Sequence, residues 1–175
     1  MCEIPEPLRW DSASQEPFSE YRRRWPEKYS HIPDAIIESW IHRHWSQFRD
    51  WRTLRPESWT YEIRKFTSSD VLRIGDVCDR AADSIAWGDD LMDGFKDGEI
   101  WLRDYMLENG TTPAPILVAE NAAHIRHPHN GGNMVEPFQL IEGHRRRALL
   151  GAMIRRRHPN MPSRHDVVVA RIPEC

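Results

Sequence analysis

The sequence predicts a mixed α/β domain of the α+β class. Three observations lead there. Segments with apolar residues at helical spacing are interspersed with short β-type runs. The runs in the second half, "ILVAE" from Ile116, "FQLIE" from Phe138 and "HDVVVARIP" from His165, have strand length. A chain of 175 residues, 39% hydrophobic and 29% charged, is large enough for one well-buried core and too small for two independent domains. The expected order is helix, strand, helix, helix, strand, strand, helix, strand, with residues 1–57 as a helical, Trp-rich extension and 58–175 as the main domain.

Each element has its own reason. Residues 1–32 carry Pro5, Pro7, Pro17 and Pro26 and few aliphatics, so an irregular arm is expected, packing through Trp10, Phe18, Tyr21 and Trp25. Pro33 and Asp34 open a helix whose apolar face is Ile36, Ile37, Trp40, Ile41, Trp45, Phe48 and Trp51. That aromatic stripe is expected in the core, with a partner-binding face as the alternative. "WTYEIRKFT", Trp59 to Thr67, reads as a strand. From Ser68 a helix is expected along Val71, Leu72, Ile74, Val77, Cys78, Ala81 and Ile85, stopping near Gly88. "DDLMDGFKDGE" reads as an acidic loop. Calcium binding is rejected there, because setting Gly94 or Gly98 at the glycine position puts Leu91 or Phe95 where an oxygen ligand is required. "EIWLRDYMLENG" is a short helix that buries Ile100, Trp101, Tyr105 and Met106 and ends left-handed at Asn109-Gly110. Asn121 to Pro137 is a polar loop between two strands, in which His124, His127 and His129 are expected to face solvent. His42 and His44, two apart on a helix, do not share a face. "GHRRRALLGAMIRRR" is a helix with Ala148, Leu149, Ala152 and Met153 or Ile154 inward.

Composition excludes some classes of function. No run approaches the ~20 apolar residues of a membrane span, and mean hydropathy is -0.70. The opening "MCEIPEPLRWD" lacks the basic and apolar regions of a secretory signal. Cys2, Cys78 and Cys175 are too few and too scattered for a disulfide framework or zinc cluster, so a reducing, cytoplasmic setting is expected. The net charge of -3 hides an asymmetry. Asp76 to Glu108 holds ten acids against three bases, and Gly143 to Cys175 holds eight arginines against two acids. The basic end could meet an external anion or the chain's own acidic segment.

Arg145, Arg146 and Arg147 pose the sharpest question. A helix N-terminus presents unpaired N–H groups and about half a positive charge, which oppose cations in the first turn. A bound anion would reverse that opposition, since N–H groups, dipole and guanidinium forks then converge on phosphate oxygens. Pairing with Glu142, Glu136 or the acidic segment is the competing explanation. Arg155, Arg156 and Arg157 lie near the helix C-terminus, where the dipole favours them.

The order "LRDYMLENGTTPAPILVAENA … EPFQLIEGHRRRALLGAMI … HDVVVARIP" resembles the nucleotide-binding domain of the ParB/sulfiredoxin superfamily, a small mixed sheet with flanking helices. The resemblance is clearest from Trp101 to Ile172. It implies binding of a nucleoside triphosphate, CTP or ATP, with Gly143, His144, Arg145 and Arg146 as the phosphate box and Gly110, Thr111, Thr112 and Pro113 as the turn on the base side. Mg2+ is the implied companion ion. Sulfiredoxin-type repair needs a cysteine where His144 stands, so that activity is not expected. Glu142 is a candidate base or magnesium ligand, and His144 a candidate group beside a transferred phosphoryl, for weak NTPase or phosphotransferase activity. Two alternatives remain in view. One is a DNA-directed plasmid-maintenance factor or nuclease that uses the arginines from Arg145 through Arg164 on backbone phosphates; the other is a noncatalytic interaction module that docks a protein through its N-terminal helix.

Overall fold

The computed structural model describes residues 4–76, 81–95, 100–129 and 131–173. The fold is α+β, with a mixed five-stranded sheet between two helical layers. Strands β1 (Thr60–Phe66), β2 (Ile74–Gly75), β3 (Ile116–Glu120), β4 (Phe138–Glu142) and β5 (His165–Arg171) lie in the order β1-β5-β3-β4-β2. The β1/β5 and β3/β4 pairs are antiparallel, whereas β3/β5 and β2/β4 are parallel. In the central strands, Ile116 to Ala119 and Val167 to Ala170 are buried without interruption, as continuous apolar runs require when both faces of a sheet are covered.

One face carries the N-terminal layer. Its helices are α1 (Phe18–Arg23), α2 (Asp34–Ile36), a π-helical turn (Ile37–His42) and α3 (Trp45–Trp51). Trp40, Trp51 and Trp59 pack there with Leu117, Ala119, Ile141, Val168 and Ala170. Trp40 meets Phe48 edge-on at 4.9 Å and stacks on Trp59 at 6.1 Å. The aromatic stripe is therefore core, and residues on either side of the expected boundary at 57/58 share that core.

The opposite face carries α4 (Ser68–Leu72), α5 (Ala81–Asp93), α6 (Ile100–Asn109) and α7 (His144–Arg155) over Phe66, Ile116, Val118, Leu140, Val167 and Val169. A capping box between Thr67 and Asp70 starts α4. Gly88 of α5 lies so close to α7 that an added Cβ would sit 2.2 Å from the Ala148 carbonyl oxygen.

Several expectations need correction. The N-terminal arm is not wholly irregular, since Pro17 leads into α1, where Tyr21 is fully buried. The helix from Asp34 to Trp51 is broken at Arg43 and His44, where Gln15 Nε2 donates to the His42 carbonyl that a continuing turn would use. The single helix expected from Ser68 to Gly88 is three elements: α4 ends, Ile74 and Gly75 join the sheet edge beside Phe138 and Gln139, and α5 begins afresh. Val77 and Cys78 lie outside the described residues. Gly88 is a close-packing residue rather than a stop, and α5 continues to Asp93 through much of the acidic segment expected as loop; Gly98 lies outside the described residues. In α6 the buried positions are Leu102 and Met106, while Ile100 and Trp101 are exposed. Gly110 does take the left-handed conformation expected of it.

Candidate functional site

A cavity of about 970 Å3 opens in front of α7, between the N-terminal layer, the loop after Thr112 and the facing sides of α5 and α6. Gly143 sits in the left-handed region at φ 96°, which turns the chain from β4 into α7 without a capping side chain. The first intrahelical bond runs from Arg147 N to the Gly143 carbonyl at 2.8 Å.

The three arginines have separate fates. Arg146 is buried: it donates to Glu142 and, at 2.9 and 3.0 Å, to the carbonyls of Ala114 and Pro115. Ser39 Oγ donates to the same Glu142 oxygen at 3.3 Å. Arg147 turns away from the cavity and donates to the Ile74 carbonyl at 2.8 Å, and burial lowers its pKa from the usual arginine value. Arg145 is exposed on the cavity wall, its guanidinium 5.9 Å from the centroid of Trp87. Pairing with Glu142 thus accounts for Arg146, and Arg145 lines the cavity beside Trp87.

His144 shares that opening. Its Nε2 lies 3.4 Å from Asp76 Oδ2, and Gln139 Nε2 holds the other Asp76 oxygen at 3.3 Å. Of the expected base-side turn, Pro113 lines the cavity. Gly110 instead packs on the turn at Asn160, and Thr111, with Oγ1 3.2 Å from His165 Nδ1, does not line the cavity. Thr112 is half-buried and does not line the cavity.

Other wall residues were not singled out as site residues from the sequence. Arg43 and His44 reach the cavity from the break in the N-terminal helix, Trp87 from α5 and Trp101 from α6. His127 was expected in a solvent-facing loop; it is buried, its ring edge-on to Trp51 at 4.9 Å, and burial with His129 nearby lowers its pKa to about 4. His42 points inward to the Glu16 carbonyl, whereas His44, at the break in the helix, lines the cavity.

The C-terminal arginines of α7 meet the chain's own acids. Arg155 pairs with Asp89 at 3.5 Å, and Arg156 pairs with Asp89 and Asp93. Among the described residues no group of three or more His, Cys, Asp and Glu side chains is placed to hold a metal, and no helix is long and apolar enough to cross a membrane. No protein-family model, curated protein or solved structure matches the chain.

Proposed function

We propose that the cavity binds a nucleoside triphosphate, CTP or ATP, with its phosphates at the start of α7. The observation that carries this reading is an open, ligand-sized cavity in front of a helix N-terminus that lacks a capping side chain. Arg145 supplies a guanidinium where helix dipole and backbone donors already favour an anion. Trp101, 67% exposed on the same wall, offers a face on which a base can stack. Mg2+ would enter on the phosphates themselves, keeping several of its waters. His144, held by Asp76, is the group suited to take a proton beside a transferred phosphoryl, which is the route to weak NTPase or phosphotransferase activity. Glu142 is committed to Arg146 and serves the site by fixing the strand end.

The alternatives draw less support. Arg146, Arg147, Arg155 and Arg156 have partners within the chain, which a DNA-directed role would require them to give up. The tryptophans that a docking helix would present are buried in the core.

Calorimetric titration with CTP, ATP and GTP, each with Mg2+, tests the proposal. At least one should bind, and Arg145→Ala should weaken it about tenfold, ~1.4 kcal/mol. Trp101→Ala should cost a similar factor through lost stacking. Absence of binding by the wild-type chain to all three nucleotides ends the proposal.

A further inference from the structure

The two edges of the sheet are treated differently. β2 is two residues long, and brevity is one way a sheet edge avoids pairing with another chain. β1 has seven residues, TYEIRKF, with no glycine or proline, and its register against β5 runs unbroken from Thr60 opposite Arg171 to Phe66 opposite His165. Its far side carries the backbone donors and acceptors that β5 does not take. Glu62, Ile63 and Lys65 are exposed, Ile63 to 59%.

The charges on this strand are arranged symmetrically about Ile63. Two copies of β1 that meet antiparallel about a two-fold axis normal to the sheet must pair residues of the same face, so the axis passes through a residue. With the axis at Glu62, two glutamates oppose each other; at Arg64, two arginines do. With the axis at Ile63, each Glu62 faces Arg64 of the other copy, the two isoleucines meet, and Tyr61 faces Lys65. Like charges directly opposite are unfavourable and opposite charges favourable, so the sequence selects this register. The ion pairs already present, Arg64 to Glu62 at 2.9 Å and Arg64 with Arg171 around Glu120, hold both side chains on one face of the sheet.

We propose that β1 is a homodimer edge, joining two copies antiparallel about Ile63 into a continuous ten-stranded sheet. The partner is a second copy of this chain, because self-complementary charge is what the edge presents.

Sedimentation velocity of the full chain over a concentration series tests this. The wild type should dimerise, and Glu62→Arg or Arg64→Glu alone should weaken the dimer about tenfold or more, since the two-fold turns both ion pairs repulsive at once. An equimolar mixture of the two variants should associate again, because the introduced arginine then meets the introduced glutamate. Arg64→Glu also removes the Glu120 pair, so circular dichroism accompanies each run. Ile63→Lys, at an exposed position, provides a disruption that leaves the fold intact. A monomeric wild type, a dimer indifferent to Glu62→Arg and Ile63→Lys, or a mixture that fails to associate would each overturn the proposal.

Discussion

Arg146→Ala should be the most damaging single change at the start of α7, and it should act on stability before it acts on any ligand. Arg146 is 8% and Glu142 9% exposed. The guanidinium donates to Glu142 and to the carbonyls of Ala114 and Pro115, so truncation orphans a carboxylate and two backbone acceptors together. Ser39 Oγ also donates to Glu142, and one hydroxyl does not replace a charged fork. Removing one partner of a buried ion pair costs about 3–5 kcal/mol. For a chain of this size that corresponds to a fall in Tm of ~6–20 °C. Urea unfolding followed by tryptophan fluorescence and by circular dichroism measures it. Replacing both charges, Glu142→Gln with Arg146→Met, should recover at least half of the loss, because an uncharged pair leaves no carboxylate stranded. Exposed Arg145→Ala should leave the unfolding midpoint nearly unchanged. An Arg146→Ala loss below ~1 kcal/mol, or a double variant no better than the single, would refute the reasoning.

Stability should also depend on acid. His127 and His165 are buried, and burial lowers both pKa values from the usual 6.5, His127 to about 4. The unfolded chain therefore binds protons first, so this stability is whole above pH 6.5 and drains as pH falls towards 4. His165 Nε2, buried without a hydrogen-bond partner among the described residues, has nothing to receive an added proton. His127→Gln should flatten part of the slope of urea midpoint against pH in that window; an unchanged slope would count against the assignment. Gly88→Ala should destabilise although alanine is the better helix former. Overpacking against the Ala148 carbonyl costs about 1–3 kcal/mol, and the gain in helix propensity is at most ~1 kcal/mol. A more stable variant would show that α5 and α7 can separate freely.

Period and punctuation made most elements legible. β3, β4 and β5 are legible as short apolar runs, β1 as an imperfect alternation of Tyr61, Ile63 and Phe66, and α7 as an inward stripe, because a strand or helix that buries a face must repeat apolar residues at its own period. The left-handed stop at Gly110 follows from a local backbone requirement that glycine meets. What failed was decided elsewhere in the chain. Ile74 and Gly75 continue a helical pattern, yet they become strand because the edge of β4 offers them backbone partners. Gly88 looks like a helix stop and is instead the point where α5 can lie against α7.

The site divides in the same way. Glycine before a helix, with arginines in its first turn, is visible in the sequence, since both the conformation and the dipole are local. Which arginine turns inward is not. Arg146 is claimed by a carboxylate four residues earlier and by carbonyls about thirty residues away, while Arg145, one position along the helix and so about a quarter-turn round, is left on the cavity wall. The opposite wall, with Arg43, His44 and the buried His127, exists only because the tryptophan-rich layer closes over the sheet. Local propensity thus determined the elements and their caps. Long-range packing decided which arginine is buried in an ion pair and which lines the cavity, because burial and pairing belong to neighbours that the order of residues along the chain does not reveal.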